Sequence, residues 1–242
     1  MGLHLNSNEF GKNNARNGGA IYFGKEQKTD ALYENTEMII ENNKFYENMA
    51  EMFGGAIFTD YNKISLVTIK NNTVFNNKAG VLGGGIYTSN PFDNGTINID
   101  GFKFNNNMVG SLLDNYTSKP SYIYLNTTLT KNLKKINVGD YFPLIFTLHD
   151  EYGHIITDIT KHFSMITLKL NIFSKSDIIE EEKDDNFSKS DIIKKKKDDG
   201  ENVFLFGNVC TFVNGKISMH FFYFFIINNI TNIYVYLYYK LL

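Results

Sequence analysis

Apolar side chains alternate with polar ones in short, recurring runs. Leu3 and Leu5, Met38 and Ile40, Val67 and Ile69, and Ile97 and Ile99 are each two residues apart. Such spacing puts both side chains of a pair on one face of a strand. A phenylalanine with asparagine close behind follows each pair: Phe10 with Asn13, Phe45 with Asn48, Phe75 with Asn77, and Phe104 with Asn107. The phenylalanines are 35, 30 and 29 residues apart, and the third copy is one residue short between its Phe and Asn. A glycine pair then follows in three copies, at Gly18-Gly19, Gly54-Gly55 and Gly83-Gly84. The glycine pairs open Gly18-Gly19-Ala20-Ile21, Gly54-Gly55-Ala56-Ile57 and, with one change, Gly83-Gly84-Gly85-Ile86, at spacings of 36 and 29 residues.

One such motif means little. The same motifs in one order, three times, mean a repeat, and a repeat of this length decides the fold. No single strand here is long enough to bury itself. Stacked copies give each strand a parallel partner about 4.8 Å above and below. Phe10, Phe45, Phe75 and Phe104 are expected to form an internal aromatic ladder, and Asn13, Asn48, Asn77 and Asn107 an amide ladder at a corner, each amide bonding to the next. The glycine pairs are expected to supply the positive φ of a sharp corner. The predicted class is all-β: a right-handed parallel β-helix over 1–118, with a small antiparallel region after it. The fourth copy decays after Asn107, as terminal repeats do.

This conjunction resembles the polymorphic outer-membrane protein repeat, defined by Gly-Gly-Ala-Ile and Phe-x-x-Asn. The resemblance covers about residues 3–113. Gly85 replaces the alanine in the third copy, and Lys78 stands three residues after Phe75. The resemblance implies an adhesin-like surface or secreted protein with a pectin lyase-like fold. The remaining chain is too short for an outer-membrane barrel, which needs at least about eight strands.

Tyr22 to Glu37 lengthens the first spacing and reads as a loop, and Asn90 to Gly95 as a turn-rich connection. Lys119-Pro120 marks a boundary. Residues 119–172 read as antiparallel β structure, with a hairpin whose turn is Asp150-Glu151-Tyr152-Gly153. Val138-Gly139-Asp140 through Asp158 resembles the start of immunoglobulin-like modules in bacterial adhesins. Residues 173–202 hold a duplicated Phe-Ser-Lys-Ser-Asp-Ile-Ile unit and read as a charged low-complexity linker. Residues 203–242 form an apolar tail. Within it, 221–242 is long enough to span a bilayer, although Asn228, Asn229, Thr231 and Asn232 interrupt it; a final strand pair and translated non-coding sequence are the rival readings.

A net charge of −2 gives no long-range attraction to nucleic acid or to an anionic membrane. Cys210 is the lone cysteine, so no disulfide forms within the chain. Met1 to Asn8 lacks the basic and apolar regions of a signal peptide. The first copy starts almost at once, so the chain is expected to be a fragment of a longer secreted protein. His4, His149, His154, His162 and His220 match no zinc spacing, and no Gly-x-Ser-x-Gly or phosphate-binding loop occurs. No catalytic residue, metal or cofactor is therefore expected. Glu47, Glu51, Asp60, Asp93 and Asp100 occupy different repeat positions and need not converge as a glycosidase pair would. Six Asn-x-Ser/Thr acceptors occur, at Asn71, Asn94, Asn115, Asn126, Asn186 and Asn229, with Asn94 and Asn115 the best glycosylation candidates. The expected function is non-catalytic binding of a glycan or a surface protein. The alternative is a pectin-lyase-like carbohydrate-active enzyme fragment, and a third reading is a structural fragment with no function of its own.

Overall fold

The structure, a computed structural model, describes residues 3–25, 37–61, 63–89, 96–126, 141–163, 166–171, 203–205, 209–225 and 236–239. These residues are strands and connections, apart from the short 3-10 turns Ile64–Leu66 and Ile99–Gly101. Two compact units divide them: Met1–Tyr124 with Thr147–His162, and Leu125–Phe146 with Phe163–Leu242.

In the first unit the chain passes through four sheets, each time in the same order. The first sheet holds Leu3–Asn6, Met38–Glu41 and Thr68–Lys70. The second holds Glu9–Gly11, Lys44–Tyr46, Asn72–Phe75 and Phe102–Asn105. The third holds Asn14–Asn17, Met49–Phe53, Lys78–Ala79 and Met108–Val109. The fourth holds Ile21–Phe23, Ile57–Thr59, Ile86–Thr88 and Tyr116–Ser118. Strands from successive passes are parallel neighbours. Like residues therefore lie over like: Leu5, Ile40 and Ile69 in the first sheet, and Ile21, Ile57 and Ile86 in the fourth. Their side chains share one buried cluster with Phe45 and Val74. The third sheet closes on the small side chains Ala50, Ala79 and Val109.

The aromatic ladder differs from expectation at one position. Phe10 pairs with Phe45, Phe45 with Val74, and Val74 with Phe104. Val74 is fully buried, whereas Phe75 pairs with Tyr46 and stacks on its ring at 5.6 Å, half-buried. Strand alternation forces this, because adjacent residues point to opposite faces. The third copy is thus Val74-x-x-Asn77. It keeps the full spacing and changes the residue, rather than keeping Phe and losing a residue. Of the inner rings, Phe10 and Phe45 stack at 4.9 Å and 6°.

The amide ladder runs as expected through Asn13, Asn48, Asn77 and Asn107. Asn48 sends its N–H and its Nδ2 to Asn77 Oδ1, both at 2.9 Å, and returns its second Nδ2 hydrogen to the Phe10 carbonyl at 2.9 Å. Asn77 repeats this toward Asn107 and back to Phe45. A second ladder, which the sequence reading lacked, links Asn8, Asn43 and Asn72 in the same way. Each ladder asparagine follows a residue of positive φ: Ser7, Lys12, Asn42, Glu47, Asn71, Asn76 and Asn106. A left-handed residue costs roughly 1–2 kcal/mol. Here the cost is offset because the turn aims the next amide along the stack.

The two glycines of each pair do different work. Gly18, Gly54 and Gly83 have φ of +61°, +66° and +68°, so only the first of each pair supplies the corner conformation. The second is needed for close approach: a Cβ on Gly55 would lie 2.6 Å from the Lys78 carbonyl oxygen of the next pass. Gly85 replaces alanine where a Cβ would overlap the Asn115 carbonyl.

The fourth pass departs in two places. Ile97 is buried, but Ile99 begins a 3-10 turn instead of a strand, because Asn98 Oδ1 accepts the Asp100 N–H at 2.9 Å. After Asn107 the chain reverses at Gly110, and Leu112–Leu113 runs antiparallel to Met108–Val109. Met108 to Leu113, expected to be decay, is thus an ordered reversal that still delivers Tyr116 onto Ile86. The expected hairpin is present: Ile156 N–H donates to the Leu148 carbonyl, and Asp150 N–H to that of His154, both at 3.0 Å.

In the second unit Val203–Leu205 runs antiparallel to Lys216–Phe225. Thr167–Asn171 lies antiparallel to both Val209–Thr211 and Tyr236–Tyr239. The described parts of 221–242 are strands, and among the described residues no helix is long and apolar enough to cross a membrane. Asn94, most of the expected loop between Tyr22 and Glu37, and the whole linker 173–202 lie outside the described residues.

Removing a central ladder side chain should cost far more than removing an end one. Asn77→Ala leaves the buried Asn48 N–H without its acceptor, at about 1–3 kcal/mol, and strips a second bond from the Phe45 carbonyl. Urea unfolding should show Asn77→Ala destabilised by at least about 2 kcal/mol, and Asn13→Ala, at an exposed position, by under about 1 kcal/mol. Equal losses would refute the ladder as the main stabilising element.

Candidate functional site

The ladders and the glycine corners need a last layer, and Asp114 and Asn115 supply it. The Gly18 N–H donates to the Phe53 carbonyl of the next pass, and the Gly54 N–H to that of Leu82. For Gly83 the chain reversal removes the equivalent carbonyl. Asp114 Oδ2 takes that N–H instead, at 2.7 Å, and Thr117 Oγ1 donates to Asp114 Oδ1. Asn115 Oδ1 accepts from Asn107 Nδ2 at 3.0 Å, which ends the amide ladder. Asn115, a glycosylation candidate in the sequence, lies in the bend between Leu113 and Tyr116 and is half-buried and structurally engaged.

The 148–156 hairpin closes over the same end. Asp150 is buried, and its Oδ2 accepts the Ser118 N–H at 3.0 Å. Its Oδ1 accepts the His154 N–H at 2.8 Å, which holds the turn that Gly153 makes at φ +84°. Tyr152 reaches Thr88 at 3.3 Å and donates to the Ile97 carbonyl at 3.2 Å. The half-exposed His154 ring leans on Tyr116 at 5.0 Å, with Nδ1 3.6 Å from Asp150 Oδ2.

Between the reversal and the hairpin lies a cavity of about 460 Å³. Leu82, Val109 and Leu113 are among its apolar lining residues, and Asp114, Asn115 and His154 among its polar ones. Its volume falls within the range of small-molecule clefts, about 300–1,000 Å³. Burial raises the pKa of both Asp114 and Asp150 above the ordinary carboxyl value, against the lowering effect of the hydrogen bonds each accepts. Burial also pushes the Tyr152 phenol up to about 12, and that of Tyr87 up as well.

Of the acidic residues weighed in the sequence, Glu47 sits at a corner 3.8 Å from Lys12, Asp60 bonds Ser89 at 3.1 Å, and Asp100 lies in a 3-10 turn. They are not brought together. The pair that is assembled, Asp114 and Asp150 around His154, was missed, because two separate capping segments supply it. One usable signal was an Asp-Asn pair placed where the glycine pair drops out. The three neighbouring histidines do not form one centre: His149 stacks on Tyr122, His154 faces Asp150, and His162 packs edge-on against Phe53. Among the described residues no group of three or more His, Cys, Asp or Glu is placed to hold a metal ion. No protein-family model, curated protein or solved structure matches this chain.

A carboxyl group whose pKa rises on folding stabilises the fold below its unfolded pKa, and that contribution is lost as pH climbs through the raised folded value. With both Asp114 and Asp150 raised, the thermal midpoint should fall as pH increases from about 4 toward neutrality. Asp114→Asn keeps an acceptor oxygen and should flatten that slope. A midpoint that rises over this range would contradict the assignment.

Proposed function

We propose that the chain is a right-handed parallel β-helix from an adhesin-like surface or secreted protein. In this reading its long sheets and its capped end bind a glycan or protein partner without catalysis. The parallel sheets, paired residue for residue, support the helical stacking. The antiparallel pairs beyond residue 163 and the 148–156 hairpin fit an adhesin-type β extension, with 221–242 as a candidate membrane attachment.

One observation carries the non-catalytic reading. Both buried carboxylates of the capped end are engaged by backbone N–H groups: Asp114 by Gly83, and Asp150 by Ser118 and His154. Such bonds fix a carboxylate in place as a cap. The second reading, a carbohydrate-active enzyme, draws support from the raised pKa of the same carboxyls beside a cavity.

Two assays separate these readings. The full chain should bind intact cells or a glycan array, and should release no reducing ends from pectin or neutral glycans. Reducing-end release that Asp114→Asn abolishes would establish the enzyme instead. Native protein found only in the soluble cytosol would sink the surface reading.

A further inference from the structure

We propose that the cavity between the Gly110 reversal and the 148–156 hairpin binds one neutral hexose unit of a glycan. This rests on the reading of the chain as a binding protein, and it names the ligand class for one site.

The lining argues for a hydroxylated ring. A carboxylate has two acceptor positions on each oxygen. Thr117 occupies one on Asp114 Oδ1 and Gly83 one on Oδ2, so each oxygen keeps one acceptor position. Two such positions on one planar group suit the adjacent hydroxyls of a sugar. Asn115 uses its Oδ1 on Asn107 and keeps amide hydrogens to donate. His154 has Nδ1 toward Asp150 and keeps Nε2. The wall therefore offers donors and acceptors together, as a ligand whose every hydroxyl is both would require. Leu82, Val109 and Leu113 add hydrocarbon to the lining, which suits the C–H face of a ring.

The charges select further. Among the described residues no lysine or arginine lines the cavity, whereas Asp114 does, and Asp150 stands behind His154. An acidic sugar would bring a third carboxylate to this place, and like charges in a partly desolvated site repel strongly. The neutral sugar should thus be preferred over the uronic acid that differs from it only by oxidation at the last carbon.

Saturation-transfer NMR on the full chain tests this with methyl glucoside, methyl mannoside and methyl galactoside, each beside its methyl uronide. At least one neutral glycoside should receive saturation, and its uronide should bind at least about tenfold more weakly. Leu113 is 69% exposed, so Leu113→Asp should leave the unfolding midpoint unchanged while weakening the neutral glycoside about tenfold. Asp114→Asn should weaken it too. Absence of saturation for all neutral glycosides, equal binding of the uronide, or full binding by Leu113→Asp overturns the proposal. If Leu113→Asp still binds cells or a glycan array as the parent does, this site fails while the wider reading stands. If the parent binds neither cells, array nor glycosides, both fall.

Discussion

The fold depends on one repeated hydrogen bond, from a backbone N–H of one pass to the side-chain oxygen of an asparagine in the next. Strands of two to five residues cannot hold their own register, and parallel pairing is weaker per residue than antiparallel pairing. A side-chain amide solves both problems at a corner. It accepts from the previous layer, donates to the amide oxygen of the next and back to a carbonyl of the previous one, and satisfies backbone groups that a turn would otherwise leave bare in the interior. The ladder asparagines from the second pass onward are almost wholly buried, with Asn72, Asn77 and Asn107 at 0% exposure. A misaligned pass would leave several such groups unpaired at once. Register is thus fixed by polar satisfaction, and the apolar stacks fill the space that it defines.

Such an arrangement has an end, and the end is where chemistry concentrates. Where the next layer is missing, a carboxylate stands in for a backbone carbonyl and a single asparagine for the next ladder rung. That substitution buries charge beside a cavity, which raises the carboxyl pKa and leaves unused acceptor positions facing outward. The interior layers satisfy one another's ladder groups, so unused acceptor positions arise where the repeat ends.

The stacking was legible in the sequence because every layer repeats its signal. The Ile21, Ile57 and Ile86 stack and the Asn13 to Asn107 ladder could be read directly. The aromatic ladder was misread at one rung, because a lone phenylalanine outweighed the constant distance to asparagine; Phe75 faces outward and Val74 takes the inner place. The Asn8, Asn43 and Asn72 ladder was hidden by the abundance of asparagine in the chain. The Asp114 and Asp150 cluster was legible only through the Asp-Asn pair that stands where the glycine pair drops out. It occurs once, and its members belong to two segments that meet through the Ser118 N–H and the Tyr116 ring.

Asn8 and Asn13, Asn43 and Asn48, and Asn72 and Asn77 are each five residues apart. The full passes are not constant: successive asparagines bond across separations of 35, 29 and 30 residues. The variation gathers between the fourth sheet and the first, from Phe23 to Met38, Thr59 to Thr68 and Thr88 to Ile99. The molecule is therefore built as a rack with fixed slots and one open side. Connections of different length leave the frame's register unchanged on that side. Length can change there by simple gain or loss of codons.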